Sequence, residues 1–182
     1  MTRRKHLREE LDYQADVVDI VSTQGGFGHK MSNKFIIGVA DLLLKPYGCN
    51  TCVLEVKRAV REAQSQQRLF DLDLSVLQRN WLRRAHRGGM KAGVLSFVVS
   101  LNQEWYRLFT MGELEECATH RIDKAGAERM EYRVDATKYR KFNDLTTIYQ
   151  SIVEFCGPCH STLTSCLNNV DTPTAITTPN AA

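Results

Sequence analysis

The sequence predicts an α/β protein in which helices pack on a mixed sheet, and three stretches carry that expectation. Two apolar runs, residues 35–44 and Cys52–Lys57, flank the turn Lys45-Pro46-Tyr47-Gly48-Cys49-Asn50. A helix follows: Ser75 stands as N-cap with Gln78 at N3, and Gly88-Gly89 ends it. Then comes a third apolar strand, Lys91–Ser100. Strand, helix, strand in this order favours a mixed sheet with the helix laid across it. The chain has 182 residues, 43% hydrophobic and 25% charged, enough for one domain with a full core. That domain is expected to span residues 1–167. Residues 168–182 hold Thr, Asn, Pro and Ala without periodicity and are expected to form a disordered tail.

In chain order, Lys5 to Ser22 reads as an amphipathic helix with Leu7, Leu11, Gln14, Val18 and Val21 on one face. Glu10 shares a stripe with Gln14, Val17 and Val21 at the border of that face, whereas Glu9 groups with Tyr13, Asp16 and Ile20. Thr23 to Lys30 is glycine-rich but lacks P-loop spacing, so it reads as a flexible connector. Its His29 and Lys30, like Lys34, face either solvent or phosphate. Val60–Arg68 is polar and reads as an exposed helix or a crossover. In the capped helix, Leu77, Trp81, Leu82 and Ala85 form the apolar stripe, with Trp81 a core residue rather than a stacking platform. Trp105–Thr110 reads as an edge strand, Glu113–Thr119 as a short acidic helix and Met130–Val134 as a short strand. Leu145–Phe155 is an amphipathic helix with Leu145, Ile148, Ile152 and Phe155 in phase.

Net charge is only +3, but its distribution is uneven. From Leu74 to Gln103 there is no acid, while Arg79, Arg83, Arg84, Arg87 and Lys91 are all cationic; Arg3, Arg4, Lys5 and Arg8 add to the amino-terminal end. Such a patch suits a polyanionic partner or a solvated helix face. No stretch is long and apolar enough to span a bilayer, and the first residues do not lead into a signal peptide. The expected location is cytoplasmic, the host cytoplasm for a phage protein. In that reducing compartment the six cysteines are thiols or metal ligands rather than disulfides.

The residues with most chemistry are Asp41, Glu55 and Lys57. An acid inside an apolar run costs free energy to bury unless something pairs with it. Glu55 and Lys57 are two apart on a strand and leave the same face. Asp41 can reach that face from the neighbouring strand. Two carboxylates there would hold a hard divalent cation, with the lysine as a built-in charge. The alternative is a buried ion pair with an unrelated aspartate at a strand edge.

Gly38-Val39-Ala40-Asp41 followed by Leu54-Glu55-Val56-Lys57 resembles the split PD-(D/E)xK nuclease signature, with Ala40 where Pro is usual. Leu74–Leu82, Gly88-Gly89 and the strand after them resemble the corresponding segment of VRR-NUC-type nucleases and RecU-like or phage Holliday-junction resolvases. The resemblance covers roughly the first hundred residues. It implies a restriction-endonuclease-like core and a Mg²⁺-dependent DNA endonuclease, with Mn²⁺ as substitute, in DNA recombination or repair. It also implies branched DNA as a substrate, 5′-phosphate products and a homodimer. Asp41 and Glu55 would bind metal and Lys57 would orient the attacking water. Glu10, or Glu9 after it, would supply the acid that relatives carry on the helix before the sheet. Gln78 would place water or phosphate, against the alternative of ordinary capping. The interval from Lys57 to Gln78 exceeds the family pattern, which makes residues 60–73 an insertion. His29, Lys30, Arg79, Arg83, Arg84, Arg87 and Lys91 would then hold phosphates without reading sequence.

Two CxxC pairs remain, Cys49-Asn50-Thr51-Cys52 and Cys156-Gly157-Pro158-Cys159. Their formal count fits a Cys₄ zinc site, with coincidental thiols as the default. The second pair follows a helix rather than opening one, which excludes thioredoxin chemistry. The rival to an enzyme is a non-catalytic nucleic-acid-binding protein with a nuclease-like fold, stapled by zinc at those cysteines.

Overall fold

A computed structural model describes residues 8–31, 38–60, 69–100, 103–122 and 128–159. Helix α1 (Glu10–Thr23) leads into β1 (Phe27–Lys30), β2 (Leu42–Lys45) and β3 (Cys52–Val60). Then follow β4 (Leu69–Leu72), α2 (Val76–Arg87), β5 (Lys91–Ser100), β6 (Gln103–Thr110) and α3 (Met111–Glu116). The chain continues through β7 (Ala118–Ile122), β8 (Glu128–Asp135), β9 (Arg140–Lys141) and α4 (Leu145–Cys156). The main sheet has six strands in the order β1-β2-β3-β5-β6-β9. β3 and β5 run parallel from Cys52↔Lys91 to Val60↔Val99, and the other pairs are antiparallel. This is the mixed α/β sheet with flanking helices that the pattern predicts.

Both faces of the central pair are covered, which is why β3 and β5 read as almost unbroken apolar runs. On one face Tyr13, Val17 and Val21 of α1 and Ile148 and Ile152 of α4 pack on Leu54, Val56, Leu95 and Phe97. Tyr13 stacks on Phe97 with ring centroids 4.0 Å apart. On the other face Leu82 of α2 joins Val53, Val94, Val98 and Phe109, together with Leu72, Tyr132 and Val134 of a second sheet. None of the helices among the described residues is long and apolar enough to cross a membrane.

Several expectations need correction. The second sheet, β4-β8-β7, was not foreseen. It uses part of the interval read as an insertion, and its β7 begins within the segment read as the end of an acidic helix. α3 stops at Glu116, and Thr110 closes its capping box with Glu113. Phe27–Lys30 is a paired edge strand instead of a connector. Gly28 allows it, because a Cβ there would lie 3.0 Å from the Val18 carbonyl oxygen on α1. The core face of α1 is Tyr13, Gln14, Val17 and Val21, while Leu11 is 61% exposed. An aromatic stacked on the sheet outweighs a leucine one stripe away. β6 is also not the outermost strand, since β9 pairs with it at Trp105 and Tyr106. Expectations for Lys34, for most of Val60–Arg68 and for the 168–182 tail lie outside the described residues.

Candidate active site

The site is built where β3 leaves the core. β2 and β3 pair as Leu42↔Leu54, which brings Asp41 to the level of Glu55. Asp41 is not inside a strand but in the bend just before β2. Gly38, three residues earlier, has φ +86°, a conformation outside the extended region of a strand. The Asp41 carboxylate accepts the Val56 backbone N–H at 2.8 Å, so it caps the start of the hairpin ladder. Glu55 is fully buried, and its Oε1 lies 2.9 Å from Lys57 Nζ.

Helix α2 aims its amino-terminal end at this carboxylate. Ser75 caps the helix through the Gln78 N–H, and Gln78 Oε1 accepts the Ser75 N–H at 3.0 Å. The other end of the same carboxamide, Nε2, donates to Glu55 Oε1. One side chain therefore both completes the cap of α2 and bonds to Glu55. Glu10 approaches from the first turn of α1. Its carboxylate accepts the Arg58 backbone N–H and senses the charges of Lys57, Asp41 and Asp73. Glu9 instead forms the N-cap of α1 and lies 3.8 Å from the Arg58 guanidinium.

Charge in the site is out of balance. Burial, then the Asp41 charge, pushes Glu55 up to about 8, against the pull of Lys57. Burial also raises Glu10, opposed by Lys57 and reinforced by Asp41. Burial works against the Lys57 ammonium, yet Glu55, Glu10 and Asp41 together hold its pKa above the usual lysine value. Glu55 Oε2 is buried with no hydrogen-bond partner among the described residues. Three carboxylates thus act on the Lys57 ammonium, of which Glu55 is the one paired with it. As the side chains stand, no three His, Cys, Asp or Glu groups among the described residues form a closed metal-ligand cluster.

Two further groups escaped the reading of the sequence. Asp73 precedes the α2 cap and adds its charge to Glu10. Its signal was an acid just ahead of a helix start, where the dipole favours one. Ser96 lies opposite Lys57 in the β3–β5 register, and its Oγ accepts the Tyr139 hydroxyl at 2.9 Å in a buried bond. No local pattern points to that pair, because 43 residues separate its members.

The cationic residues divide between the two ends of the sheet. Lys30 pairs with Leu42, next to Asp41, and both His29 and Lys30 are exposed. The Met31 N–H bonds to the Asp41 carbonyl at 2.7 Å. Arg79 follows Gln78 on the first turn of α2. Arg83 is held by Glu115 at 3.1 Å. Arg84 and Arg87 are exposed near the carboxy-terminal end of α2, and Lys91 lies opposite Cys52, at the start of β3.

No protein-family model matches the chain, and no curated protein sequence matches it significantly. Among solved structures the chain is similar to Hjc of Archaeoglobus fulgidus, described as a Holliday junction resolvase from an archaeal hyperthermophile. The two share 12% identity over 70% of this chain and 87% of that one, with a TM-score of 0.41.

Proposed function

We propose that the protein is a divalent-metal-dependent endonuclease that hydrolyses phosphodiester bonds in DNA. The observation that carries this reading is the buried Glu55 carboxylate, one oxygen without a hydrogen-bond partner among the described residues, crowded by Asp41 and Glu10 and paired with Lys57. Hard oxygen donors short of positive charge suit Mg²⁺ or Mn²⁺, and Asp41, Glu55 and Glu10 are the residues that would hold it. When bound, such an ion polarises a phosphoryl oxygen and acidifies a coordinated water. Lys57, fixed on Glu55, keeps an ammonium where it can orient the attacking water and stabilise charge growing on the phosphate. Gln78 holds the Glu55 carboxylate in place through its Nε2. His29 and Lys30 on the β1 edge, with Arg79, seat the flanking phosphates, and Arg84 and Arg87 extend that contact along α2.

The test is cleavage of supercoiled plasmid and of a synthetic four-way junction with Mg²⁺, comparing wild type with Lys57→Ala and Glu55→Ala. The wild type is expected to cut, and each variant to lose at least about 10²-fold in rate while still retarding DNA in a gel. Preference for the junction over linear duplex would extend the reading to branched DNA cut by a homodimer. Binding by the wild type with no cutting in Mg²⁺ or Mn²⁺ would overturn it in favour of a non-catalytic binding protein.

A further inference from the structure

At the Cys52 end of β3, two loops that are distant in sequence meet face to face. Cys49 and Pro158 form an antiparallel bridge. The Asn50 N–H donates to the Gly157 carbonyl at 3.0 Å, and the Cys159 N–H donates to the Gly48 carbonyl at 2.9 Å. The Asn50 side-chain amide spans the junction, donating to the Cys156 carbonyl at 3.2 Å and to the Pro158 carbonyl at 2.9 Å. Each loop turns through a positive-φ glycine beside its first cysteine, Gly48 at +70° and Gly157 at +65°. No atom lies within 4 Å of a Cβ built at either glycine, so backbone conformation rather than space calls for glycine there.

The result is two CxxC loops docked in register. Cys52 and Cys156 are fully buried, Cys49 is nearly so and Cys159 is partly exposed. Cys49, Cys52 and Cys156 are not in disulfides. The Cys52 and Cys156 thiols are close enough to act on each other, and Cys49 senses both Cys156 and Cys159. We propose that Cys49, Cys52, Cys156 and Cys159 form a structural zinc site that clasps the β2–β3 turn to the carboxy-terminal end of α4. Paired two-residue spacings on opposed turns supply the four soft donors of a closed tetrahedral Cys₄ site, with no position left open for substrate. As the side chains stand, no three of the described His, Cys, Asp or Glu groups, these cysteines included, form a set that could hold a metal; a change of χ1 rotamer moves a cysteine sulfur without moving its backbone. Lys91, opposite Cys52, lends positive charge at Cys156 and would offset the net negative charge of a zinc tetrathiolate. It is thereby accounted for without a phosphate.

The experiment uses the full chain, reduced, stripped with chelator and titrated with Zn²⁺ and, separately, with Co²⁺. One zinc per chain by elemental analysis is expected, with thiolate-to-cobalt charge-transfer bands and the intense visible absorption of tetrahedral cobalt. Cys159→Ser, the change least costly to the core, is expected to lower stoichiometric zinc to none while far-UV circular dichroism stays native. Cys117→Ser, outside the clasp, is expected to keep the full zinc content. Failure of the wild type to take up zinc overturns the proposal, as does full zinc retention in Cys159→Ser. A Cys52–Cys156 disulfide in peptide maps of a wild type that takes up no zinc also overturns it. DNA cleavage is not the readout, so this outcome is independent of the nuclease reading.

Discussion

Glu55 sets the pH behaviour of the metal-free protein. Its pKa lies near 8 in the fold, against an ordinary carboxylate value of 4.5 when unfolded. Between those values the folded state binds the extra proton, so stability falls as pH rises through that window and is fully present below it. Glu10 is raised as well and adds in the same direction. Unfolding free energy in chelator should therefore fall from pH 5 to pH 8, by at most about 1.4 kcal/mol per pH unit from Glu55 alone, and the melting temperature should fall with it. Glu55→Gln should flatten the profile; an unchanged slope would mean that the carboxylate is ionised throughout. At this scale the sequence was informative where chemistry and spacing coincide. Glu55 and Lys57 share a strand face, and the helical phase separates Glu10 from Glu9. Asp73 and the Tyr139–Ser96 bond were not legible, because tertiary approach alone gives them neighbours.

Among the elements, α2 was the easiest to read, since Ser75, Gln78 and Gly88 mark its ends by local chemistry. Ser75→Ala should cost about 1 kcal/mol of stability in urea unfolding. Gly38 is a sharper test of how α2 and the Asp41 bend fit together. A Cβ there would stand 2.4 Å from Leu77 Cβ, and its φ is +86°. Gly38→Ala should cost about 1–3 kcal/mol and depress cleavage as well, because the chain between this contact and Asp41 is short. A variant with wild-type urea midpoint and rate would show that the bend tolerates a side chain. The second sheet stayed hidden for a physical reason. β4 and β7 are short, and their pairing with β8 is set by non-local partners rather than by period.

Over the whole molecule, β3 carries both Cys52 at its start and Glu55 three residues further on, and the β3–β5 ladder joins them. A divalent cation that binds only the folded protein raises its stability by mass action. Mg²⁺ or Mn²⁺ should therefore raise the melting temperature above pH 7, where the ion best competes with the proton on Glu55. That rise should vanish in Glu55→Gln and persist in Cys117→Ser; a rise in Glu55→Gln would place the ion elsewhere. The exposed cations are spread over β1 and α2, so DNA affinity should fall steeply with added salt. A titration that leaves retardation unchanged as salt rises would remove phosphate contact as its source.

The Gln78 carboxamide makes helix stability and site chemistry inseparable. Glutamate is an equally good capping partner at N3, so a campaign that selects only for heat resistance would readily accept Gln78→Glu. That substitution would set a third acid against Glu55, after Asp41 and Glu10, removing the donor that steadies it and adding repulsion. The engineered protein could gain robustness while losing turnover, a trade-off hidden from any screen that never measures cutting.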